Sequence, residues 1–161
     1  MIPPPRRPGR YAVALVCLGN ICRSPMADVV LQQRLLEAGL ADRVTVASAG
    51  TADWHVGKPM DPRAAATLDA HGFDPTRHRA RHSTPTWLAD FDLVLAMDAD
   101  NLADLGGGSE RVMLFRDLDP DGPGAVPDPY YGGDDGFEEV LAMVERTTAV
   151  LVREIGGALA P

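Results

Sequence analysis

The stretch CLGNICRS, residues 17–24, follows directly on the apolar run YAVALV, residues 11–16. The last four residues of that run are apolar without interruption, which is typical of a strand that is covered on both faces. Ser24 and Pro25 then favour the N-cap and the first position of a helix. The sequence therefore predicts a strand, a tight polar loop and a helix in immediate succession, with both cysteines of the chain inside the loop.

Short apolar and β-branched runs elsewhere predict three further strands. Together with the first strand, Tyr11–Cys17, they are Arg43–Ser48, Phe91–Met97 and Arg111–Phe115. Helix patterns separate them, and strands that alternate with helices form parallel sheets. We therefore predict an α/β fold, a single domain with a four-stranded, mostly parallel sheet in the flavodoxin-like order and helices on both faces. Ligands bind such sheets at the carboxyl ends of the strands, where CLGNICRS begins.

The helix boundaries are predicted from capping residues and glycines. Gly39 closes the first helix, Asp61 and Pro62 open the second, and Asp98 caps the third. The last helix has the clearest pattern, since its core-facing residues recur at spacings of three and four. These residues are Phe137, Val140, Leu141, Val144, Thr148, Leu151, Val152 and Ile155.

Length and charge limit the classes of protein to which the chain can belong. Its 161 residues suffice for one ordinary domain, residues 11–161, preceded by a proline-rich arm, residues 1–10, that we predict to be flexible. The net charge of −8 argues against nonspecific binding to nucleic acid, so any anion site must be a local one.

The distribution of apolar residues and cysteines predicts the compartment. No apolar run has the length of a membrane helix, and the first residues do not form a secretory signal, so we expect a cytoplasmic protein without a membrane partner. Export by a route that needs no sequence signal is the alternative. Two cysteines and four scattered histidines provide neither a disulfide framework nor a metal site, and we predict no cofactor.

The loop of residues 17–24 has the features of an anion site. Backbone N–H groups at the start of a helix converge on an anion, Gly19 allows a tight path, and Asn20 tolerates a left-handed conformation. Arg23 adds a planar fork of donors that suits phosphate oxygens. These surroundings stabilise a thiolate at Cys17, to which the Ser24 hydroxyl can donate a hydrogen bond. A thiolate that faces a bound phosphate is placed for in-line attack at phosphorus.

A purely structural role for Cys17 is the alternative. Buried cysteines are common small apolar side chains, and an arginine six residues later is frequent by chance in a chain with 14 arginines. The full succession of strand, cysteine, glycine-containing loop, arginine, serine, proline and helix is much more specific. It favours the catalytic interpretation.

The segment VCLGNICRSPMAD, residues 16–28, resembles the signature of the low-molecular-weight protein tyrosine phosphatases. A second motif, DPYYG at residues 128–132, also resembles this family and follows in the right order, and the resemblance extends from Tyr11 to about Ile155. It implies a bacterial phosphatase that hydrolyses phosphotyrosine and aryl phosphates through a phosphocysteine intermediate. The implied partners are phosphotyrosine-containing proteins.

The resemblance implies four catalytic residues. Cys17 is the nucleophile, Arg23 holds the phosphate oxygens, and Ser24 assists the sulfur as it leaves. Asp128 is the general acid, and chemistry supports this role because a phenolate whose conjugate acid has a pKa of about 10 leaves poorly unless it is protonated. The same carboxylate can then activate the water that hydrolyses the intermediate. The loop residues that complete the phosphate site are Leu18, Gly19, Asn20, Ile21 and Cys22.

Aromatic residues are implied around the pocket. Tyr130 and Tyr131 match positions beside the acid, where rings stack on a phosphotyrosine, and Trp54 matches a position at the entrance. The alternative for each is an ordinary packing aromatic. Ile21 resembles tyrosine-specific members, whereas a branch of the family that acts on phosphoarginine carries threonine there.

Further positions are implied to support the loop. Ser48 and His71 match residues that hydrogen-bond to Asn20, and Asp98 matches a structural acid. Cys22 resembles a second cysteine that forms a reversible disulfide with the nucleophile in many members. The alternative for Cys22 is a small buried thiol.

Three other functions stay open at this point. An arsenate reductase on the same fold relays a disulfide through further cysteines, and none follows Cys22 in this chain. A phosphoarginine phosphatase would use the same loop. A phosphotyrosine-binding module without turnover would need neither the thiol of Cys17 nor the acid Asp128, so the presence of both favours an enzyme.

Overall fold

The sheet at the centre of the molecule has four parallel strands in the order β2-β1-β3-β4, which is the flavodoxin-like order. The computed structural model describes the backbone of residues 1–161 and all side chains except that of Asp134. The predicted α/β fold with a four-stranded parallel sheet is confirmed, and the strand ends differ from the predicted ones by at most two residues. The strands are β1 Tyr11–Cys17, β2 Val44–Gly50, β3 Leu93–Ala96 and β4 Val112–Leu114.

Helices connect the strands, and one long helix ends the chain. They are α1 Arg23–Glu37, α2 Pro62–Ala70, α3 Pro85–Leu88, α4 Ala99–Asp104 and α5 Asp134–Leu159, with a 3₁₀ turn at Phe115–Leu118. Helix α3 and the 3₁₀ turn were not predicted, because four residues are too few to show a hydrophobic period. None of the helices in the described part of the chain has both the length and the apolar character needed to cross a membrane.

Alternate residues of β1 enter two separate cores. Val13 and Leu15 face the main core, which α1 and α5 cover, whereas Ala14 and Val16 face a smaller core that residues of α3 and the end of α4 cover. Strand β1 is therefore buried on both faces, as its continuous apolar sequence predicts. Because β1 is a central strand, the loop that follows it starts from a rigid position.

Helix α1 begins at Arg23 with Cys22 at the N-cap position, so Ser24 lies inside the first turn. The predicted N-cap role of Ser24 is therefore wrong. The chain turns back at Asn20, whose φ is 57°, and this turn brings the Ser24 hydroxyl to Cys17 instead of to the backbone of α1.

The predicted caps of α2 and α4 are confirmed. The Asp61 carboxylate accepts from the backbone N of Arg63 at 2.8 Å, and the Asp98 carboxylate accepts from that of Asn101 at 2.8 Å. Each acid also binds an arginine side chain, Asp61 that of Arg63 and Asp98 that of Arg23. The Asp98–Arg23 contact connects the start of α4 to that of α1 at the carboxyl edge of the sheet, whereas the Asp61–Arg63 contact lies within the first turn of α2.

Residues 1–10 contact the domain at the amino ends of the strands. The Tyr11 hydroxyl donates to the carbonyl oxygen of Pro3 at 2.8 Å, and the Asp92 carboxylate accepts from the backbone N of Arg6 at 2.6 Å. The segment predicted as a flexible arm thus makes specific contacts, at the opposite end of β1 from CLGNICRS.

Candidate active site

A cavity of about 280 Å³ opens where β1 ends and α1 begins. It brings together the CLGNICRS loop and the DPYYG motif, which lie far apart in the sequence. A wider groove of about 720 Å³ lies behind the loop, but no cysteine lines it, so the proposed chemistry belongs to the smaller cavity. The residues that line the smaller cavity are Cys17, Leu18, Gly19, Ile21, Cys22, Arg23, Trp54, His55, Asp128, Tyr130 and Tyr131.

A buried chain of hydrogen bonds leads to the sulfur of Cys17. The Asn20 amide donates to the hydroxyl oxygens of Ser24 at 2.8 Å and Ser48 at 3.0 Å, while its carbonyl oxygen accepts from the backbone N of Arg81 at 2.9 Å. Ser24 Oγ also lies 2.9 Å from Cys17 Sγ, and when the sulfur is a thiolate only the hydroxyl has a proton to donate. The network therefore presents a hydroxyl donor to the sulfur, and the contact implied for Ser48 is present.

His78, rather than His71, contacts the loop. His78 Nε2 lies 2.7 Å from the carbonyl oxygen of Asn20, and since that oxygen can only accept, Nε2 carries the proton. Burial is the main cause that lowers the pKa of His78, which favours a neutral ring with this tautomer. His71 ends α2, where its ring turns to the Glu138 carboxylate at 2.9 Å. The implied contact of His71 with Asn20 is thus corrected to His78.

Arg23 is buried, and its guanidinium nitrogens differ in their hydrogen bonds. Nη1 donates to the Asp98 carboxylate at 2.6 Å and to the Val126 carbonyl oxygen at 3.0 Å. Among the described groups of the protein, Nε has no hydrogen-bond partner although it is buried. Burial opposes the charge of the guanidinium, but Cys17, Asp98 and Asp128 outweigh it and raise its pKa. Asp98 therefore fixes one edge of Arg23 and leaves the other edge available to an anion.

Asp128 reaches the same cavity from the DPYYG motif. Its Oδ1 accepts from the backbone N of Tyr130 at 3.1 Å, and its Oδ2 lies 3.6 Å from Arg23 Nη2. The Asp128 side chain is 38% exposed, so water has access to it. An acid, an arginine and a thiol thus line one small cavity, as the two sequence motifs predict.

Aromatic side chains form the rim of the cavity. Trp54 is 66% exposed and Tyr131 is 92% exposed, while Tyr130 packs edge-on against Tyr131 with the ring centroids 5.0 Å apart. The sequence did not single out His55, whose ring lies over Gly19: a Cβ on that glycine would approach the ring to 3.0 Å. The position of His55 next to Trp54 was the only signal for it.

Cys22 is a buried free thiol. Burial is the main cause that raises its pKa, and the negative charges of Asp61, Cys17 and Asp128 raise it further. Cys22 is therefore protonated at neutral pH and does not compete as a nucleophile. Among the side chains that the structure describes, no three His, Cys, Asp or Glu residues lie close enough together to hold a metal ion.

Asp28 lies in the groove behind the loop, where it interacts with Ser48 and accepts from Gln32 at 2.6 Å. Burial raises its pKa to about 6, although Gln32, Ser48 and Arg81 act in the opposite direction. The folded protein therefore holds this proton over a pH range in which the unfolded chain has lost it. The free energy of unfolding should fall as the pH rises from about 4 to about 6, by up to about 3 kcal/mol.

Asp28→Asn is expected to remove this decrease in the free energy of unfolding as the pH rises. Chemical denaturation at pH 4 and pH 7 should show the variant gaining stability relative to the parent protein as the pH rises. Exposed Asp42, changed to Asn, is the control and should show no such gain. A stability difference for Asp28→Asn that is equal at both pH values would contradict the assignment.

Comparison with known proteins gives a consistent result. The family model described as "Low molecular weight phosphotyrosine protein phosphatase" matches residues 12–159. A low molecular weight protein-tyrosine-phosphatase of Streptomyces coelicolor is 45% identical over 154 residues, which cover 90% of this chain and 93% of that protein. The low molecular weight protein-tyrosine phosphatase A of Mycobacterium tuberculosis is 49% identical over 139 residues, 83% of this chain and 84% of that one. A solved protein tyrosine phosphatase from Entamoeba histolytica superposes with a TM-score of 0.86 at 29% identity, covering 93% of this chain and 99% of that chain.

Proposed function

Because the chain belongs to the low molecular weight phosphotyrosine protein phosphatase family, we propose that it hydrolyses phosphotyrosine through a covalent phosphocysteine on Cys17. The observation that carries this proposal is the environment of the sulfur. The Ser24 hydroxyl lies 2.9 Å from the sulfur and can donate to it, and Arg23, whose buried Nε has no hydrogen-bond partner among the described groups, lines the same cavity. Asp128 lines that cavity as well and supplies an acid.

In the first step the phosphate binds to the loop and to the edge of the Arg23 guanidinium that Asp98 does not occupy. The positive charge of Arg23 neutralises part of the negative charge of the phosphate. The Cys17 thiolate attacks phosphorus, so that an S–P bond forms and the P–O bond to the tyrosine breaks. Asp128 gives its proton to the leaving phenolate oxygen. The products are a neutral tyrosine, a phosphocysteine and the Asp128 carboxylate.

In the second step water attacks the phosphocysteine. The Asp128 carboxylate takes a proton from the water, an O–P bond forms and the S–P bond breaks. The electron pair returns to the sulfur, where the Ser24 hydroxyl stabilises it by its hydrogen bond. Inorganic phosphate leaves, and both the thiolate and the protonated acid are restored.

The shape of the cavity supports phosphotyrosine as the substrate. Cys17 is only 2% exposed and lies at the bottom, whereas the exposed rings of Trp54 and Tyr131 stand at the rim. Phosphotyrosine is longer than phosphoserine, so its phosphate reaches the sulfur while its ring contacts these aromatics. Ile21 lines the wall of the cavity, where its apolar side chain favours an aryl group over a guanidinium group. Phosphotyrosine is therefore the first candidate substrate and phosphoarginine the second.

The proposal is tested with p-nitrophenyl phosphate in the presence of EDTA and then with matched phosphotyrosine, phosphoserine and phosphoarginine peptides. We expect release of nitrophenolate that needs no added metal and a preference for the phosphotyrosine peptide. Binding of that peptide without release of phosphate would contradict the proposal and indicate a binding module. A preference for phosphoarginine would overturn the substrate assignment but not the covalent mechanism.

A further inference from the structure

Arg63 lies outside the cavity, in the first turn of α2, yet its guanidinium joins separate parts of the site. Its Nε and Nη2 donate to the two carboxylate oxygens of Asp61 at 3.1 and 2.9 Å. Nη2 also donates to the carbonyl oxygen of Tyr130 at 3.0 Å. Since Tyr130 belongs to the DPYYG motif, one side chain connects the start of α2 to the loop that carries Asp128.

The other end of this connection reaches the phosphate-binding loop. The backbone N of Asp61 donates to the carbonyl oxygen of Ile21 at 2.8 Å. Burial alone would raise the pKa of Asp61, but the hydrogen bonds from Arg63 outweigh it and lower the pKa. The pair is therefore a charged, two-bond contact of the kind that fixes geometry as well as energy. A continuous path runs from Ile21 through Asp61 and Arg63 to Tyr130.

Two aromatic rings hold the guanidinium of Arg63 in place. Its central carbon lies 4.8 Å from the centroid of the Phe137 ring and 5.4 Å from that of Tyr130. Phe137 is completely buried in the main core, near the start of α5. Arg63 is thus packed against a rigid element, although its side chain is 36% exposed. An exposed ion pair alone would restrict it far less.

Asp128 has few other contacts that determine its position. Its Oδ1 accepts only from the backbone N of Tyr130, and its Oδ2 lies 3.6 Å from Arg23, within the described part of the chain. Residues 119–133 contain neither helix nor strand. Before Asp128, the Val126 carbonyl oxygen accepts a hydrogen bond from Arg23. After Asp128, the Tyr130 carbonyl oxygen accepts one from Arg63.

We propose that the ion pair of Asp61 and Arg63, the Asp61–Arg63 clasp, positions the general acid. The clasp sets the distance and the orientation of the Asp128 carboxyl group relative to the Cys17 thiolate. This inference rests on the roles proposed above for Asp128 as the general acid and Cys17 as the nucleophile. A displacement of about 1 Å in a catalytic group can cost on the order of 10²-fold in rate, so a contact outside the cavity can control the acid step.

The test is kcat/KM of Arg63→Gln on a series of aryl phosphates that range from good to poor leaving groups. With phenyl phosphate, which needs the acid most, we expect a loss of about tenfold or more. With the best leaving group, which needs no proton, the loss should stay below about threefold. Arg63→Lys keeps the charge but not the fork of donors, and we expect its losses to lie between those of the parent protein and Arg63→Gln.

Arg34 offers a matched control on α1. It binds carboxylates of Glu37 and Glu145 at 2.9 and 3.6 Å, and its guanidinium lies 5.3 Å from the centroid of the Phe73 ring. Like Arg63 it combines carboxylate contacts with an aromatic ring, but its hydrogen bond goes to Glu37 of its own helix, whereas that of Arg63 reaches Tyr130 in the DPYYG motif. Arg34→Gln should leave the dependence on the leaving group unchanged.

A double variant separates positioning from general destabilisation. If Arg63 acts through Asp128, adding Arg63→Gln to Asp128→Asn should cost less than about twofold more with phenyl phosphate. Losses of Arg63→Gln that are equal for all leaving groups, or that multiply with those of Asp128→Asn, would overturn the clasp. If Asp128→Asn itself does not change the dependence on the leaving group, the proposed acid fails, and that result is distinct from failure of the clasp alone.

Discussion

Cys17→Ser is expected to abolish turnover of aryl phosphates, with kcat lowered by at least about 10⁴-fold. A serine hydroxyl is not ionised at neutral pH and cannot form the S–P bond. The loop and Arg23 stay in place, because the side chain is small and Asp98 still holds the guanidinium. A phosphotyrosine peptide should therefore still bind, and titration calorimetry together with phosphate release measures both properties on one preparation.

Cys22→Ser is the matched comparison, since both cysteines are buried free thiols in the same loop. The Cys22 thiol is protonated at neutral pH because burial raises its pKa, so it is not the nucleophile. We therefore expect turnover by Cys22→Ser to fall by less than about tenfold. Thermal unfolding of both variants shows whether they are folded. Turnover by folded Cys17→Ser that stays within about tenfold of the parent protein would exclude Cys17 as the nucleophile.

Asp128→Asn is expected to lower kcat/KM for phenyl phosphate by about 10²- to 10³-fold and for the best leaving group by less than about tenfold. The asparagine oxygen can still accept from the backbone N of Tyr130, so the loop keeps its geometry. It has no proton to give to the phenolate, however. The measurement is the slope of log kcat/KM against the pKa of the leaving phenol, which should become steeper in the variant.

Asp121→Asn provides the control for this slope. Asp121 belongs to the same irregular segment, is 68% exposed and lies 3.2 Å from Arg146, away from the cavity. Its substitution should leave the slope as it is in the parent protein. An unchanged slope in Asp128→Asn would exclude the acid role, whatever the absolute loss of rate.

The parts of the fold that depend on local sequence were predicted well. Strand β1 was placed at its observed ends because a central strand is apolar on both faces. The caps at Asp61 and Asp98 followed from a side chain that bonds its own helix within three residues. The loop from Cys17 to Arg23 lies at the carboxyl edge of the sheet for the same topological reason.

The parts of the site that depend on tertiary packing could not be predicted from the residues alone. His71 and His78 are both near the end of α2, and only the path of the chain after this helix decides which ring reaches Asn20. The side chain of Ser24 suits an N-cap as well as a sulfur donor, and the left-handed turn at Asn20 decides between the two roles.

Arg63 had no signal in the sequence at all. Its partner Tyr130 is 67 residues away, and their contact exists only because α2 and the DPYYG segment meet at the same edge of the sheet. Residues that position a catalytic group from outside the cavity are defined by such long-range contacts. They therefore require the structure, whereas the nucleophile and the acid are carried by motifs.

The covalent intermediate itself can be observed. Rapid quench into an alkaline denaturant, in which the S–P bond is stable, during steady-state turnover of an aryl phosphate, followed by digestion above neutral pH and mass spectrometry, locates any phosphate bound to the protein. We expect one phosphoryl group on the peptide that contains Cys17, assigned to that sulfur by fragmentation and absent in Cys17→Ser. Steady turnover with no phosphorylated peptide, or with the phosphoryl group on another residue, would contradict the assignment of Cys17 as the nucleophile.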